Sequence, residues 1–135
     1  MVLLAVSGKG RIACNQVLYH LQERAIEHAV IPWCERHGVA VVGYSPFGHD
    51  EFPSPRSKGG EVLQSIADAR KATPRQIVLA FLARAPGVFP IPKASSAEHV
   101  AENAMAGDLV LTPGEISEID RAFPRGPKPR GLPML

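Results

Sequence analysis

The sequence predicts an α/β fold in which helices cover parallel strands. Two observations carry this reading: three short apolar runs alternate with segments of helical spacing, and polar residues gather just after each run. A third observation sets its extent. The barrel form of this architecture typically uses eight strands and roughly 250 residues. This chain has 135 residues and only three strand candidates, so an incomplete (β/α)8 barrel lacking its front half is expected.

Residues 2–6 read as the end of a helix, stopped at Ser7-Gly8-Lys9-Gly10. Residues 11–19 follow as a short strand. Residues 27–37 have helical spacing in Val30, Trp33, Cys34 and His37; Pro32 is tolerable there only near the first turn. Gly38 is placed to take the left-handed position after that helix. Residues 39–44, VAVVGY, have buried-strand character and end at Ser45-Pro46-Phe47-Gly48. A loop rich in Pro, Ser, Gly and charge spans 49–60, and 61–71 are helical. Thr73-Pro74-Arg75-Gln76 supplies an N-cap, a proline at the first helical position and a reciprocating glutamine for a helix over 74–84. Residues 88–91 form a very short strand. Pro90 and Pro92 both lack backbone donors, which suits a strand whose end borders a loop or site. Ser95-Ser96-Ala97-Glu98 caps a helix to about Met105, and Thr112-Pro113-Gly114-Glu115 caps another carrying Ile116, Ile119 and Phe123. The chain thus divides into a domain over 1–123 and a Pro-rich basic tail over 124–135.

Composition narrows the function. The formal charge is +2, but the last twelve residues hold Arg125, Lys128 and Arg130 and no acid. The other 123 residues carry 12 basic and 13 acidic side chains, so no cationic folded face points to nucleic acid. No apolar run approaches the ~18 residues that span a bilayer. Cys14 and Cys34 allow at most one disulfide and read better as the reduced thiols of a cytoplasmic chain. The five histidines lack metal-ligand spacing, and no G-x-S-x-G or phosphate-loop motif occurs. His49 and Asp50 sit in a loop with no nucleophile near them in sequence.

In parallel α/β folds, ligands sit at the carboxyl ends of the strands. Asn15, Gln16 and His20 belong to the first strand and its end, Tyr44 and Ser45 end the second, and Lys93, Ser95, Ser96, Glu98, His99, Glu102 and Asn103 follow the third. Three ordered motifs there, CNQVLYH, PWCERHGVAVVGYSPFG and IPKASSAEHVAEN, resemble the second half of an aldo/keto reductase over nearly the whole chain. The resemblance implies a TIM-type barrel of which this chain is approximately strands six to eight with their helices. It also implies a nicotinamide cofactor, usually NADPH, bound without a Gly-rich fingerprint, and this sequence has none.

Position by position, the resemblance implies that Asn15 and Gln16 lie near the nicotinamide carboxamide, unless one of them only satisfies neighbouring backbone. Tyr44 is the aromatic on which the nicotinamide stacks. Ser45, Phe47 and Gly48 belong to the loop beside the pyrophosphate. Lys93 stands near the adenosine 2′-phosphate, where a flexible point charge is suited. Ser95 and Ser96 add donors to that phosphate or simply cap the helix. Glu102 and Asn103 face the adenine amine. His99 stands where many relatives have an arginine, so NADP(H) is the cofactor implied and NAD(H) stays open. His20 either shapes a substrate pocket or packs, and Trp33 packs.

The family's proton donor is a tyrosine supported by a lysine, an aspartate and a histidine, all upstream of the CNQ strand. Tyr19 and Tyr44 match other positions. The resemblance therefore implies part of an NADP(H)-dependent reductase of aldehydes and ketones, an oxidoreductase fragment with cofactor-holding elements and without its acid. A gene fragment, a truncated gene model or an internally initiated product is expected. A carbonyl substrate would be bound only after completion by the missing half; nucleic acid, membrane and metal are not expected as partners. The alternatives are a non-catalytic nucleotide-binding or assembly module that completes a barrel with another chain, and an unrelated α/β protein.

Overall fold

A computed structural model describes residues 10–130; the helix end expected at 2–6 and the last five residues of the tail lie outside them. Three parallel strands, β1 (Cys14–Leu18), β2 (Ala40–Tyr44) and β3 (Val88–Ile91), pair in the order β1-β2-β3. Helices α1 (Val30–His37), α2 (Lys58–Arg70), α3 (Pro74–Leu82), α4 (Ala97–Met105) and α5 (Pro113–Ala122) connect and follow them. The strand expected over 11–19 is shorter because β2 offers only five partners, from Cys14↔Ala40 to Leu18↔Tyr44. The helix expected over 27–37 splits into a 3-10 turn, Ala25–Glu27, and α1. Pro32 falls within the first turn of α1, where an amide has no intrahelical partner to lose. Gly38 closes α1 in the left-handed region, at φ 65°. The helix expected over 61–71 begins three residues earlier, because the Ser57 hydroxyl accepts a hydrogen bond from the Gly60 amide and caps it.

Strand alternation gives the sheet two unlike faces. Val41, Val88 and Tyr19 lie on the covered side, packed under α3, whose residues from Gln76 to Leu82 are all buried. Gly43 belongs to this side, and a Cβ there would come within 3.1 Å of the Tyr19 Cβ; its missing side chain makes room for the Tyr19 ring. An incomplete barrel was expected, with helices on one side of its strands. The other face stays open: Cys14 and Gln16 are exposed, Phe89 is 57% exposed and Ile91 46%.

A buried ionic cluster fastens the helical layer. The Tyr19 phenol donates to Glu27 at 2.6 Å. Arg24 grips Glu27 through two nitrogens, at 2.9 and 2.7 Å, and also reaches the Asp120 carboxylate and the Phe123 carbonyl, both at 2.6 Å. Arg84, from the end of α3, donates to Glu27 and to the Tyr19 oxygen, each at 3.1 Å. Burial alone would raise the Glu27 carboxyl, but hydrogen bonds from Arg24 and Tyr19 and the charges of both arginines bring it down to about 2. A second pair, Arg70–Glu115 at 2.5 Å, ties α2 to α5. There the Arg70 hydrogen bond is the main cause that holds the Glu115 carboxyl at about 2.

Removing one partner of a buried ion pair typically costs about 3–5 kcal/mol; without Arg24, Glu27 keeps Arg84 and Tyr19, so the low end of that range applies. Arg24→Met is therefore expected to lose stability of that order in urea denaturation at neutral pH. Glu27 is depressed from its ordinary 4.5, so its contribution is full above that value and is lost as the pH falls toward 2. The urea midpoint should drop over that window, and Glu27→Gln should flatten the drop without abolishing it, since Glu115 contributes the rest.

Candidate functional site

The three strands end level. Leu18 pairs with Tyr44 and Tyr44 with Ile91, so the segment after each strand leaves from the same edge of the sheet. After β2 the chain turns sharply: Ser45 adopts φ 52°, uncommon for a residue with a side chain, and the Gly48 amide donates back to the Ser45 carbonyl at 2.9 Å. After β3 comes Lys93, and then α4, whose cap is the Ser96 hydroxyl accepting from the His99 amide at 3.2 Å.

Between these loops and the start of α3 runs a groove with two adjoining stretches. One, of about 380 Å³, is lined by Phe47, Lys93, His99, Glu102 and Asn103, with Phe52, Thr73, Pro74 and Arg75 on its other wall. The second, of about 570 Å³, is lined by Ser45, Phe47, Gly48 and Ser95, with Lys93 and Arg75 shared. The groove therefore gathers eight of the residues singled out from the sequence, drawn from the loops after β2 and β3 and from α4.

Its width is set by α3 and α4. The Thr73 hydroxyl caps α3 through the Gln76 amide and donates to Glu102 at 2.6 Å, while the Gln76 side chain reaches the Glu102 carbonyl at 2.9 Å. One oxygen of the Glu102 carboxylate is thus already held by the protein.

Other expected residues fall elsewhere. Gln16 and Tyr44 belong to the open face, Gln16 exposed at the middle of β1 and Tyr44 half-buried at the carboxyl end of β2. Asn15 has the opposite parity. It pairs with Val41 on the helix-covered side, and burial pushes the Cys34 thiol up while an Asn15 hydrogen bond pulls it back. Asn15 is not brought to the groove or to the open face. Ser96 is engaged as a helix cap, whereas Ser95 lines the groove. His20 is 7% exposed and lines a small cavity with Phe47, Phe52 and Glu51; burial lowers its basicity, with Glu51 and Glu23 opposing.

Sequence reasoning missed Arg75, Phe52 and Thr73. The Arg75 guanidinium stacks 4.9 Å from the ring centres of both Phe47 and Phe52. From sequence Thr73 reads only as a cap. Among the described residues no group of His, Cys, Asp and Glu could hold a metal ion, and no helix is long and apolar enough to cross a membrane. Chemically the groove offers two cations, Lys93 and Arg75, two carboxylates, Glu102 and Asp50, the imidazoles of His49 and His99, hydroxyls and an aromatic wall; its cations and hydroxyls are donors that fit a phosphate-bearing nucleotide.

Comparison with known proteins points the same way. Residues 3–123 match the aldo/keto reductase family. The chain is 34% identical over 137 aligned positions to methylglyoxal reductase YeaE of Escherichia coli, covering 98% of this chain and 46% of that protein. It superposes on an aldo-keto reductase of Klebsiella pneumoniae in complex with NADPH with a TM-score of 0.81 and 41% identity, over 91% of this chain and 43% of that one. A Bombyx mori aldo-keto reductase in complex with NADP gives a TM-score of 0.72 at 28% identity, over 90% and 40%. The chain spans less than half the length of these relatives.

Thr73→Val removes both the cap and the tether to Glu102. Loss of such a cap costs about 1 kcal/mol, so a modest fall in thermal midpoint is expected. Hydrogen exchange should quicken at the start of α3 and in α4, with β1 unaffected.

Proposed function

Because this chain belongs to the aldo/keto reductase family, we propose that it forms the dinucleotide-holding side of an NADP(H)-dependent reductase of aldehydes and ketones, as strands six to eight of its barrel. The observation that carries this is the convergence of Lys93, Ser95, Ser45 and the Gly48 turn on one groove at the carboxyl ends of the strands. In this reading Lys93 and Ser95 hold phosphate oxygens, and backbone donors of the tight turn after β2 approach the pyrophosphate. Tyr44 offers its ring, and Gln16 an amide that both donates and accepts, to the nicotinamide. Asn103 and the free oxygen of Glu102 face the adenine amine. The cofactor, when bound, supplies the hydride.

None of the described residues is assigned the proton. Tyr19 is 1% exposed, and burial above all, with the Glu27 charge, raises its phenol far above the ordinary value; it is a structural tyrosine on the helix side. Protonation of the alkoxide therefore falls to groups other than these.

A second reading draws on the open sheet face, with Phe89 and Ile91 exposed. The chain then serves as an assembly module whose face packs against further strands to close a barrel. In that case apolar contact, rather than nucleotide, holds the pieces together.

Calorimetric titration of the chain with NADPH tests the first reading. Saturable binding is expected, and Lys93→Met should weaken it about tenfold or more, in line with the loss of one charge-assisted hydrogen bond. Absence of heat up to millimolar NADPH would leave only the assembly reading. Measurable carbonyl reduction by this chain alone would overturn the assignment of the proton to other groups.

A further inference from the structure

Arg75 is the groove's unexplained cation. Arg24, Arg70 and Arg84 are each held by a carboxylate, but among the described residues no carboxylate stands within ion-pair distance of Arg75. Its guanidinium rests instead on Phe47 and Phe52, whose rings meet edge-on with centres 5.9 Å apart. The rings hold the cation through their π faces and take none of its N–H groups as conventional hydrogen-bond donors, so those groups stay available to a ligand. The aromatic pair also restrains a side chain that would otherwise lose considerable rotamer freedom on binding.

Position adds to this. Arg75 and Lys93 are the two residues with a permanent positive charge on the groove, and both line its two stretches. Two adjacent cations suit a phosphate monoester, which carries close to two negative charges at neutral pH, better than a pyrophosphate diester, whose phosphates carry one each. NADP(H) differs from NAD(H) by one such monoester. His99, on α4, lines the same groove with an imidazole in place of a guanidinium.

We propose that Arg75, preorganised between Phe47 and Phe52, binds the adenosine 2′-phosphate together with Lys93 and so selects NADP(H) over NAD(H). This rests on the dinucleotide reading above and adds to it a specificity residue from α3. Arg75 is exposed and bonds to no structural group, so its substitution should leave the fold intact, which circular dichroism checks. Dissociation constants of the full chain for NADPH and NADH are measured for wild type, Arg75→Gln and Arg75→Lys. The expected result is that Arg75→Gln weakens NADPH roughly tenfold or more while NADH changes less than about twofold, with Arg75→Lys between. An equal loss for both nucleotides would move Arg75 to the pyrophosphate and overturn the proposal, as would no change in either. Failure of the wild-type chain to bind either nucleotide overturns the dinucleotide reading itself, and is seen before any substitution is made.

Discussion

The level parallel register of the three strands is the constraint from which the rest of this structure follows. With Leu18, Tyr44 and Ile91 side by side, every segment that leaves a strand starts from one edge, and every helix must return the chain to the other. Residues separated by about fifty positions, such as Ser45 and Ser95, become neighbours through that geometry alone. A one-residue slip of β2 would turn Tyr44 to the helix side and bring Gly43 to the open face. The Tyr19 ring, which now fills the space above Gly43, would lose it.

The two faces of the sheet obey different physics. On the covered side, apolar packing surrounds a small set of charges, and Arg24, Glu27, Tyr19 and Arg84 satisfy one another so that none is left alone in the interior. That cluster joins the loop after β1, the end of α3 and the end of α5, and so fixes how the helical layer lies on the strands. On the open side, Phe89 and Ile91 on β3 and Gln16 on β1 meet solvent. The relatives are more than twice as long as this chain.

Local chemistry was readable in the sequence wherever one residue decides it. The capping boxes at Thr73 and Thr112 are both formed, and β3 has its expected limits because Val88 to Ile91 stand between Pro86-Gly87 and Pro92. The beginning of α2 was hidden, since Ser57 lies in a stretch whose composition reads as loop. The parity of Asn15 and Gln16 was hidden for a plainer reason: both are polar, so alternation could not say which faces the helices. The ionic cluster joins residues as far apart as Arg24 and Phe123, a separation that no local pattern reveals. Arg75 looks like an ordinary solvated arginine in the first turn of a helix. Only the folding of Phe47 and Phe52 against it makes it a feature of the groove.

The central claim is that one groove at the carboxyl edge takes a dinucleotide. It is tested most directly by mapping amide chemical shifts of the isotope-labelled chain as NADPH is added. The account predicts shifts at residues 45–48, 93–99 and 102–103, together with Arg75, while residues 85–88 at the amino edge stay still. Shifts confined to the amino edge, or spread over the helix-covered side around Glu27 and Asp120, would contradict it.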